Sequence, residues 1–595
     1  MTTRSLALLA VGLFFATIFV RSWSGMETDF PNYYTAARLV AQGEPLRNYY
    51  DWTWFERQMN YAGFERQLGA YTAQTPLTML PFMGLVRFSP LTAKRIWLVL
   101  NTAFLGGTIC TLASLTRFRL EQLVLLTACA YGALRTNFLY GQYYIFLLLL
   151  LTVAFFCLQK GREGAGGFFF AVAFVLKLYG GPFLLYFAAR RNARAVAGMA
   201  IALALAVVVT LMLFGWRDTV FYASQIFPRS LQAGQVDPYN PGNPTLNTLL
   251  WHLFLPDAEL NPKPALRAPW LFFYLRPFLN LLIVVLTLLG LHAEKNWDST
   301  KGFAWFFFAV LLLSTSVSSY TYVLLLLPVV LLLDELPLNR GILLFVCFLL
   351  LTAPTPSWLR WLFPKLLLLA SLFVWLGIDF LRCVSRRQIA VGALTVASIS
   401  ALIGWNQFTG YREEPGRRYE LAKVEQGSLF SSSPAVIRMG IFYQGMGKDR
   451  YVLRWLHEGR IDTFSFDGNA FAPSAGSADG PINFELVSHG ASARMQLDPA
   501  KGTVSRNSSS AAGEPRDSSA SPNEKWIAFV SHQGGPRQIW IRERGSSMAR
   551  RVTGGNCNSW APTWELDSSA LLFASDCGRA YGLPTLYRAR LTEIQ

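Results

Sequence analysis

Charge is scarce in this chain. Asp, Glu, Lys and Arg make up 15% of its 595 residues, while 52% are hydrophobic. That balance excludes an ordinary soluble protein and points to a polytopic membrane protein. Acids are the scarcer sign, 36 against 53 basic residues, for a formal charge of +17. A basic excess also marks nucleic-acid binders, but no basic run interleaved with aromatics occurs, so nucleic acid is not expected as a partner. Lys and Arg retained in cytoplasmic loops account for the balance. Cysteine is sparse as well, seven in all. Cys110, Cys129, Cys157, Cys347 and Cys383 fall in or beside apolar segments, where free thiols behave as small hydrophobes. Only Cys557 and Cys577 lie outside those segments, and a lone pair in an oxidising compartment reads as one disulfide. With two Cys and no nearby His, zinc is not expected. No small-x-small cleavage site follows the apolar stretch Thr3 to Val20, so that stretch reads as an uncleaved first span.

Aromatic residues are abundant, with 18 Trp, 23 Tyr and 45 Phe. Apolar segments lie at roughly 5–21, 93–115, 121–135, 143–159, 167–180, 181–190, 195–214, 270–291, 303–318, 320–334, 341–353, 364–381 and 388–405, some shorter than the ~20 residues of a full crossing. The pair 167–180 and 181–190, joined near Lys177-Leu-Tyr-Gly-Gly-Pro182, reads as a half-crossing hairpin, which survives only inside protein or beside a watery cavity. The odd number of segments places the termini on opposite sides. Alternate short loops carry Arg117 and Arg119, then Lys160 and Arg162, then Arg190, Arg191 and Arg194, then Lys295 and Lys301, then Arg382, Arg386 and Arg387. Excess Lys and Arg marks the cytoplasmic side. The N-terminus is therefore expected inside. The loops 22–92 and 215–269, and everything after about residue 406, are expected outside.

Met26-Glu-Thr-Asp-Phe30 follows the first span and places Glu27 and Asp29 at a membrane surface, at the mouth of the helical bundle. The bland reading is that both are solvated loop acids. Sugar transfer from a lipid phosphate, however, needs a base for the acceptor hydroxyl and cationic or hydrogen-bonding groups for the leaving phosphate. Asp29, flanked by Phe30 and Pro31, is the base candidate, because partial desolvation would raise its pKa. Glu27 would orient the acceptor or bind a metal. Lys177 and Arg135 near span ends are candidates for the donor phosphate, since intramembrane charge is functional by default, with snorkelling as the alternative. Tyr33, Gln142, Tyr320 and Tyr322 are candidates for the sugar and acceptor pocket; such residues also simply hydrogen-bond between helices.

Several motifs carry a resemblance. They are Thr28-Asp-Phe-Pro-Asn-Tyr-Tyr34 with Ala36, Gly43 and Tyr49 behind it, Tyr140-Gly-Gln142 before an all-Leu span, Leu176-Lys-Leu-Tyr-Gly-Gly-Pro182, and Leu313-Ser-Thr-Ser-Val-Ser-Ser-Tyr-Thr-Tyr322 ahead of Pro328. In order and spacing the N-terminal 400 residues resemble a GT-C superfamily glycosyltransferase of family 87, the polyprenol-phosphate-mannose-dependent mannosyltransferases. Two departures stand out. Tyr71-Thr-Ala-Gln-Thr-Pro76 stands where members often have Tyr-x-Tyr-Pro-Pro, and no His accompanies the Ser/Tyr cluster. The resemblance implies a polyprenyl-phosphate sugar donor, with mannose as the hexose. Glu27-x-Asp29 is similar to the modified Asp-x-Asp signature of the superfamily, but so short a motif is common by chance, and no cofactor is expected, with a divalent metal as the less favoured alternative.

After residue 405 apolar content falls and Gly, Ser and Asn rise. Phe442-Tyr-Gln-Gly, Leu486-Val-Ser-His-Gly, Phe529-Val-Ser-His-Gln-Gly and Phe573-Ala-Ser-Asp-Cys-Gly recur at spacings of 44, 43 and 44, the length of one four-stranded propeller blade. Ser521-Pro-Asn-Glu-Lys-Trp-Ile-Ala-Phe529 and the stretch from Pro562 to Phe573 resemble the repeat of TolB-type, WD40-like propellers. Ser505–Ala520 is low-complexity and reads as a loop. No catalytic set occurs in this half.

The expectation is a polytopic α-helical membrane protein of the GT-C fold with about 11–13 membrane segments over 1–405. A linker follows at 406–430, then an all-β, propeller-like region of about four units over 431–595. In a bacterial inner membrane, it would transfer a hexose from a polyprenyl-phosphate donor to a glycan, lipid or protein acceptor at the periplasmic face. A lipid-linked sugar transporter or flippase is the alternative, but no internal repeat among the spans supports it. A membrane-anchored propeller acting as an envelope sensor or scaffold would leave the Glu-x-Asp loop unexplained.

Overall fold

The computed structural model describes residues 2–27, 29–72, 74–231, 237–257, 259–294, 299–415, 420–421, 429–506, 517–531 and 536–594. Thr28, Ala73 and Lys295 lie outside the described residues. So do most of the Ser505–Ala520 stretch, most of the linker beyond residue 415, and the His532–Gly534 end of the third repeat unit.

The N-terminal 412 residues form a multi-pass helical membrane bundle. Among the described residues six helices are long and apolar enough to cross a membrane: Thr3–Ser24, Pro90–Leu115, Ala193–Leu231, Pro269–Ala293, Pro364–Leu381 and Arg386–Arg412. A seventh crossing arises if the bent pair Tyr131–Tyr140 and Tyr144–Gln159 counts as one. The thirteen segments read from hydropathy therefore include pieces too short to cross alone. The expected segment 121–135 is divided between the helices Leu120–Ala128 and Tyr131–Tyr140, and 320–334 begins as the tight 3-10 helix Ser319–Leu325. Hydropathy sees composition, not where a helix breaks.

Two breaks bear on the site, and at each a glycine permits a close backbone approach. Helices Tyr131–Tyr140 and Tyr144–Gln159 meet at 119°. Gly141 sits there with φ of 62°, and a Cβ on it would come within 2.8 Å of the Phe30 Cβ. Only glycine permits both the left-handed turn and that approach. The break frees carbonyls that must be satisfied inside an apolar bundle. The Trp97 indole donates to Gly141 O at 3.0 Å, and the Asn101 amide donates to Gln142 O at 3.1 Å. The second break ends helix Glu163–Lys177, with Leu178 in the left-handed region at φ 63°. Gly180 then folds back so closely on Phe170 that a Cβ would strike its carbonyl oxygen. Tyr143 and Thr78 hydroxyls donate to Leu176 O, at 2.5 and 2.8 Å, and Thr75 donates to Val175 O at 2.6 Å. The same helix packs on Ala193–Phe221 through small residues: a Cβ on Gly167 would meet Ala195 O, and one on Gly198 would meet Gly164 O. Lys177 is thereby held at the tip of a helix that cannot slide.

The C-terminal half is all β, in four four-stranded antiparallel sheets. Three of them run strand by strand along the chain. The fourth combines Ser559–Trp564, Ala570–Ser575 and Thr585–Arg590 with the distant Glu420–Leu421. The recurrent anchors Phe442, Leu486, Phe529 and Phe573 each lie on the second strand of their own sheet. Part of the repeat is turn chemistry. His489-Gly490 joins two paired strands with φ of 50° and 68°, and Glu458-Gly459 does so with 46° and 75°. Two positive φ values in succession match the right-handed twist of a hairpin. Separate apolar clusters join the first and second sheets (Phe442 with Phe484) and the third and fourth (Ile541 with Phe573).

The β half sits on one end of the bundle. There it meets the loop after the first span, the segment beyond Gly215 and the end of helix Arg386–Arg412. Helix Trp52–Tyr61 inserts into the β half: the Trp52 indole donates to Tyr581 O at 2.8 Å, and Arg57 pairs with Glu485 at 2.7 Å. The expected linker thus begins inside a helix that runs to Arg412. Trp216, Trp270, Trp358, Trp361 and Trp405 are all exposed near this end, the placement of an interfacial aromatic belt.

Candidate active site

Asp29 opens helix Asp29–Ala41, directly beyond the first span. Burial pushes its carboxyl up from the usual range. A hydrogen bond from the Gln142 side chain and the positive charge of Lys177 oppose the shift. Gln142 serves two partners: its amide oxygen also accepts from the Tyr33 hydroxyl at 2.7 Å. Its position follows from the Gly141 turn. Lys177 reaches the cluster from the opposite break. Its ammonium donates to Gln74 Oε1 at 2.6 Å and stands 5.7 Å from the ring centres of Tyr33, Tyr143 and Tyr144. Aromatic faces stabilise a buried cation without neutralising it. Asp29 and Tyr33 on one helix, Gln142 and Lys177, from three separate stretches of the chain, thus form one cluster.

Two cavities flank it. One, of about 390 Å³, is bounded by Lys177, Tyr144 and Tyr179 at its polar end and by Leu184, Leu185 and Leu203 elsewhere. The other, of about 620 Å³, is strongly cationic: Arg135, Arg360 and Lys365 face it, with Tyr140, Tyr320 and Tyr322. No Asp or Glu lines this second cavity, and among the described residues none of its three cations makes an ion pair. The Lys365 ammonium lies 4.7 Å from the Tyr322 ring, whose hydroxyl is buried with no partner. Such an orphaned donor is costly unless a ligand satisfies it. Phe363, just before Lys365, holds a left-handed φ of 50°, the kind of strain that collects at working sites. The rings of Tyr144 and Tyr320, 5.0 Å apart, separate the two cavities. Asp29 is within electrostatic reach of Lys177 on one side and of Tyr140 and Tyr320 on the other, so it stands at the junction.

Arg135 and Lys177, assigned together to a phosphate from sequence, therefore line different cavities. Glu27 is within electrostatic reach of Tyr140, as Asp29 is, and of Lys94, whose ammonium donates to Gly25 O and Leu139 O at 2.5 and 2.9 Å. Among the described residues no three His, Cys, Asp or Glu side chains converge as metal ligands. Cys557 and Cys577 form a disulfide with a Cα separation of 5.0 Å. Sequence reasoning missed Gln74, Tyr143, Arg360 and Lys365. Lys365 carried a signal, since a Lys at the start of an apolar span is destabilising without a role. Gln74 carried none beyond its place in the departing Tyr71–Pro76 motif.

Residues 71–328 match the model of Glycosyltransferase family 87. The matched stretch contains Arg135, Gln142, Lys177, Tyr320 and Tyr322, and it supports a glycosyltransferase reading of the membrane half. Asp29 precedes it, Arg360 and Lys365 follow it, and the whole β half lies outside it. No curated protein matches the chain. Among solved structures, TolB from Acinetobacter baumannii is similar at 22% identity over 24% of this chain and 36% of its own, with a TM-score of 0.14. The chain thus spans about a third of that protein, and at this score the likeness carries no argument.

Proposed function

We propose that the chain is a membrane glycosyltransferase that moves a hexose, mannose by resemblance, from a polyprenyl-phosphate donor to an acceptor at the periplasmic face. The observation that carries this reading is a buried carboxylate beside a cationic cavity that contains no acid. Asp29 takes the proton from the acceptor hydroxyl; its raised pKa makes it a stronger base than a solvated Asp. The acceptor oxygen attacks the anomeric carbon, and the bond to the donor phosphate breaks. Arg135, Arg360, Lys365 and the Tyr322 hydroxyl hold the leaving phosphate, whose added charge they stabilise in a poorly solvated site. Lys177 adds positive charge from across the Tyr144–Tyr320 wall. Tyr33 and Gln142 fix the orientation of Asp29 and contact the sugar. The polyprenyl chain leaves the cationic cavity toward the bilayer beside the exposed Trp358, Trp361 and Leu362.

The β half is read as a four-bladed propeller whose last blade is closed by Glu420–Leu421, a reading supported by its four sheets and the 43–44-residue recurrence. The test is turnover of polyprenyl-phosphate mannose by purified protein in nanodiscs. Arg360→Met and Lys365→Met should raise KM for this donor, by about tenfold each if one charge-assisted contact is lost. Wild-type protein that leaves the donor intact, or variants with unchanged KM, reject the assignment. A reporter active only in the periplasm should work when fused after Gln595 and be silent near Arg191; the opposite pattern rejects the periplasmic face.

A further inference from the structure

The largest of these cavities, about 780 Å³, belongs to neither half alone. The membrane half contributes Trp251, Phe272 and the segment after Phe221, and the β half contributes Asp576 and Arg579. We infer that this joint cavity binds a saccharide, the glycan end of the acceptor.

Its chemistry is that of sugar recognition. A sugar hydroxyl both donates and accepts, so it needs guanidinium and carboxylate groups side by side, held still. Here Arg229 pairs with Asp576 at 3.0 Å, and Arg579 reaches Asp257 at 3.0 Å and Glu259 at 2.5 Å. Each pair is locked, and it is the Arg229 and Asp257 side chains that stay partly open at the cavity wall, with Asp576 and Arg579 fully covered behind them. A sugar also has apolar C–H faces that pack on aromatic rings. Trp251 stands edge-on to Tyr239 at 5.5 Å and to Phe272 at 5.3 Å, forming an aromatic panel along one wall. The Trp251 indole N–H is buried and has no acceptor among the described residues, and a ligand oxygen would satisfy it. Arg267, exposed at the rim, donates to the Pro262 carbonyl at 3.1 Å.

The location suits an acceptor. The π-helix Tyr222–Ile226 and the helix Phe227–Leu231 form a single partition. Ser224, Gln225 and Arg229 face the joint cavity, whereas Phe227, Ser230 and Leu231 face the Lys177 cavity. A glycan held in the joint cavity is thus one partition away from the reacting cluster. The acceptor role rests on the transferase reading above; the saccharide site does not.

The experiment uses the full chain in nanodiscs with mannotriose as probe, read by saturation-transfer NMR, alongside donor turnover. Wild type should give saturation transfer to the probe. The double variant Trp251→Phe/Arg267→Ala, which retains a ring and alters only an exposed Arg, should bind about tenfold more weakly through the loss of two ligand hydrogen bonds. Release of polyprenyl phosphate to water should stay unchanged in that variant. No saturation transfer in wild type, or equal transfer in the variant, overturns the site. Binding that follows the prediction in a protein that never consumes donor keeps the saccharide site and rejects only its role as acceptor site.

Discussion

Arg135, Arg360 and Lys365 surround a cavity in the membrane half with no carboxylate among them, whereas at the joint between the halves Arg57, Arg229 and Arg579 each meet an acid within 3.0 Å. Desolvation penalises the buried members of both sets, Arg579 at the joint and Lys365 at the cavity, whereas Arg135 is half-buried and Arg360 exposed. The joint offsets it with partners supplied by the protein, so its charges fix how the halves dock. At the cationic cavity Lys365 has no carboxylate beside it among the described residues, and under the proposed function an anionic donor supplies that partner. Pairing, more than burial, therefore separates the charge that joins the two halves from the charge that the proposed function assigns to a substrate. The proposed function places Asp29 with the second kind; the partners reaching it are a neutral amide and a lysine caged by tyrosines.

The largest effect should come from that group. Asp29→Asn is expected to cut transfer by about 10²–10⁴-fold while donor binding and thermal unfolding stay near wild type. Wild-type turnover in the purified variant would erase the contrast, because Asp29 would then be merely structural. At the joint the opposite pattern is expected. Arg579→Met strands Asp257 and Glu259, and breaking a buried pair in this way costs about 3–5 kcal/mol. The β half should become sensitive to protease in the intact protein, and an unchanged digestion pattern would show that this network does not hold the halves. Smaller again is the disulfide. Cys557→Ser with Cys577→Ser opens a loop of 20 residues and should lower the stability of the β half by about 3 kcal/mol in the chain-entropy model. Calorimetry reads this, and turnover at low temperature should be unaffected.

The smallest effect concerns Glu56, buried in the joint, where its carboxylate accepts from Gly69 N at 3.0 Å and from the Asn469 side chain at 3.4 Å. Burial pushes its pKa from 4.5 to about 8, with those two hydrogen bonds opposing; Tyr451 and Asp51 lie nearby. Because the folded pKa is raised, the stabilisation is complete below 4.5 and is lost as pH rises through about 8. From about pH 6 to about pH 7.5 the joint should weaken by about 2 kcal/mol. Glu56→Gln should flatten that dependence, and an equally steep profile in the variant would assign it to another group.

Much of this molecule is legible in its amino-acid sequence. Hydropathy marks the membrane half, and a spacing of 43–44 residues marks the β half, its anchors falling on the second strand of every sheet. Both signals are local, set by how a single segment partitions or turns, so one segment reveals them. The Gly141 and Leu178 breaks are visible as motifs for the same reason. Asp29, Tyr33, Gln142 and Lys177 are individually readable as polar groups out of place in apolar surroundings. Their convergence is not, nor is the division of Arg135 and Lys177 between two cavities. Gln74 on Lys177, Lys365 beside Tyr322, and Arg579 on Asp257 and Glu259 join residues from about 40 to over 300 positions apart. Those neighbours are decided only when helices close over glycine contacts and the β half docks, because a side chain's electrostatic surroundings depend on what packs against it and not on what precedes it in the chain.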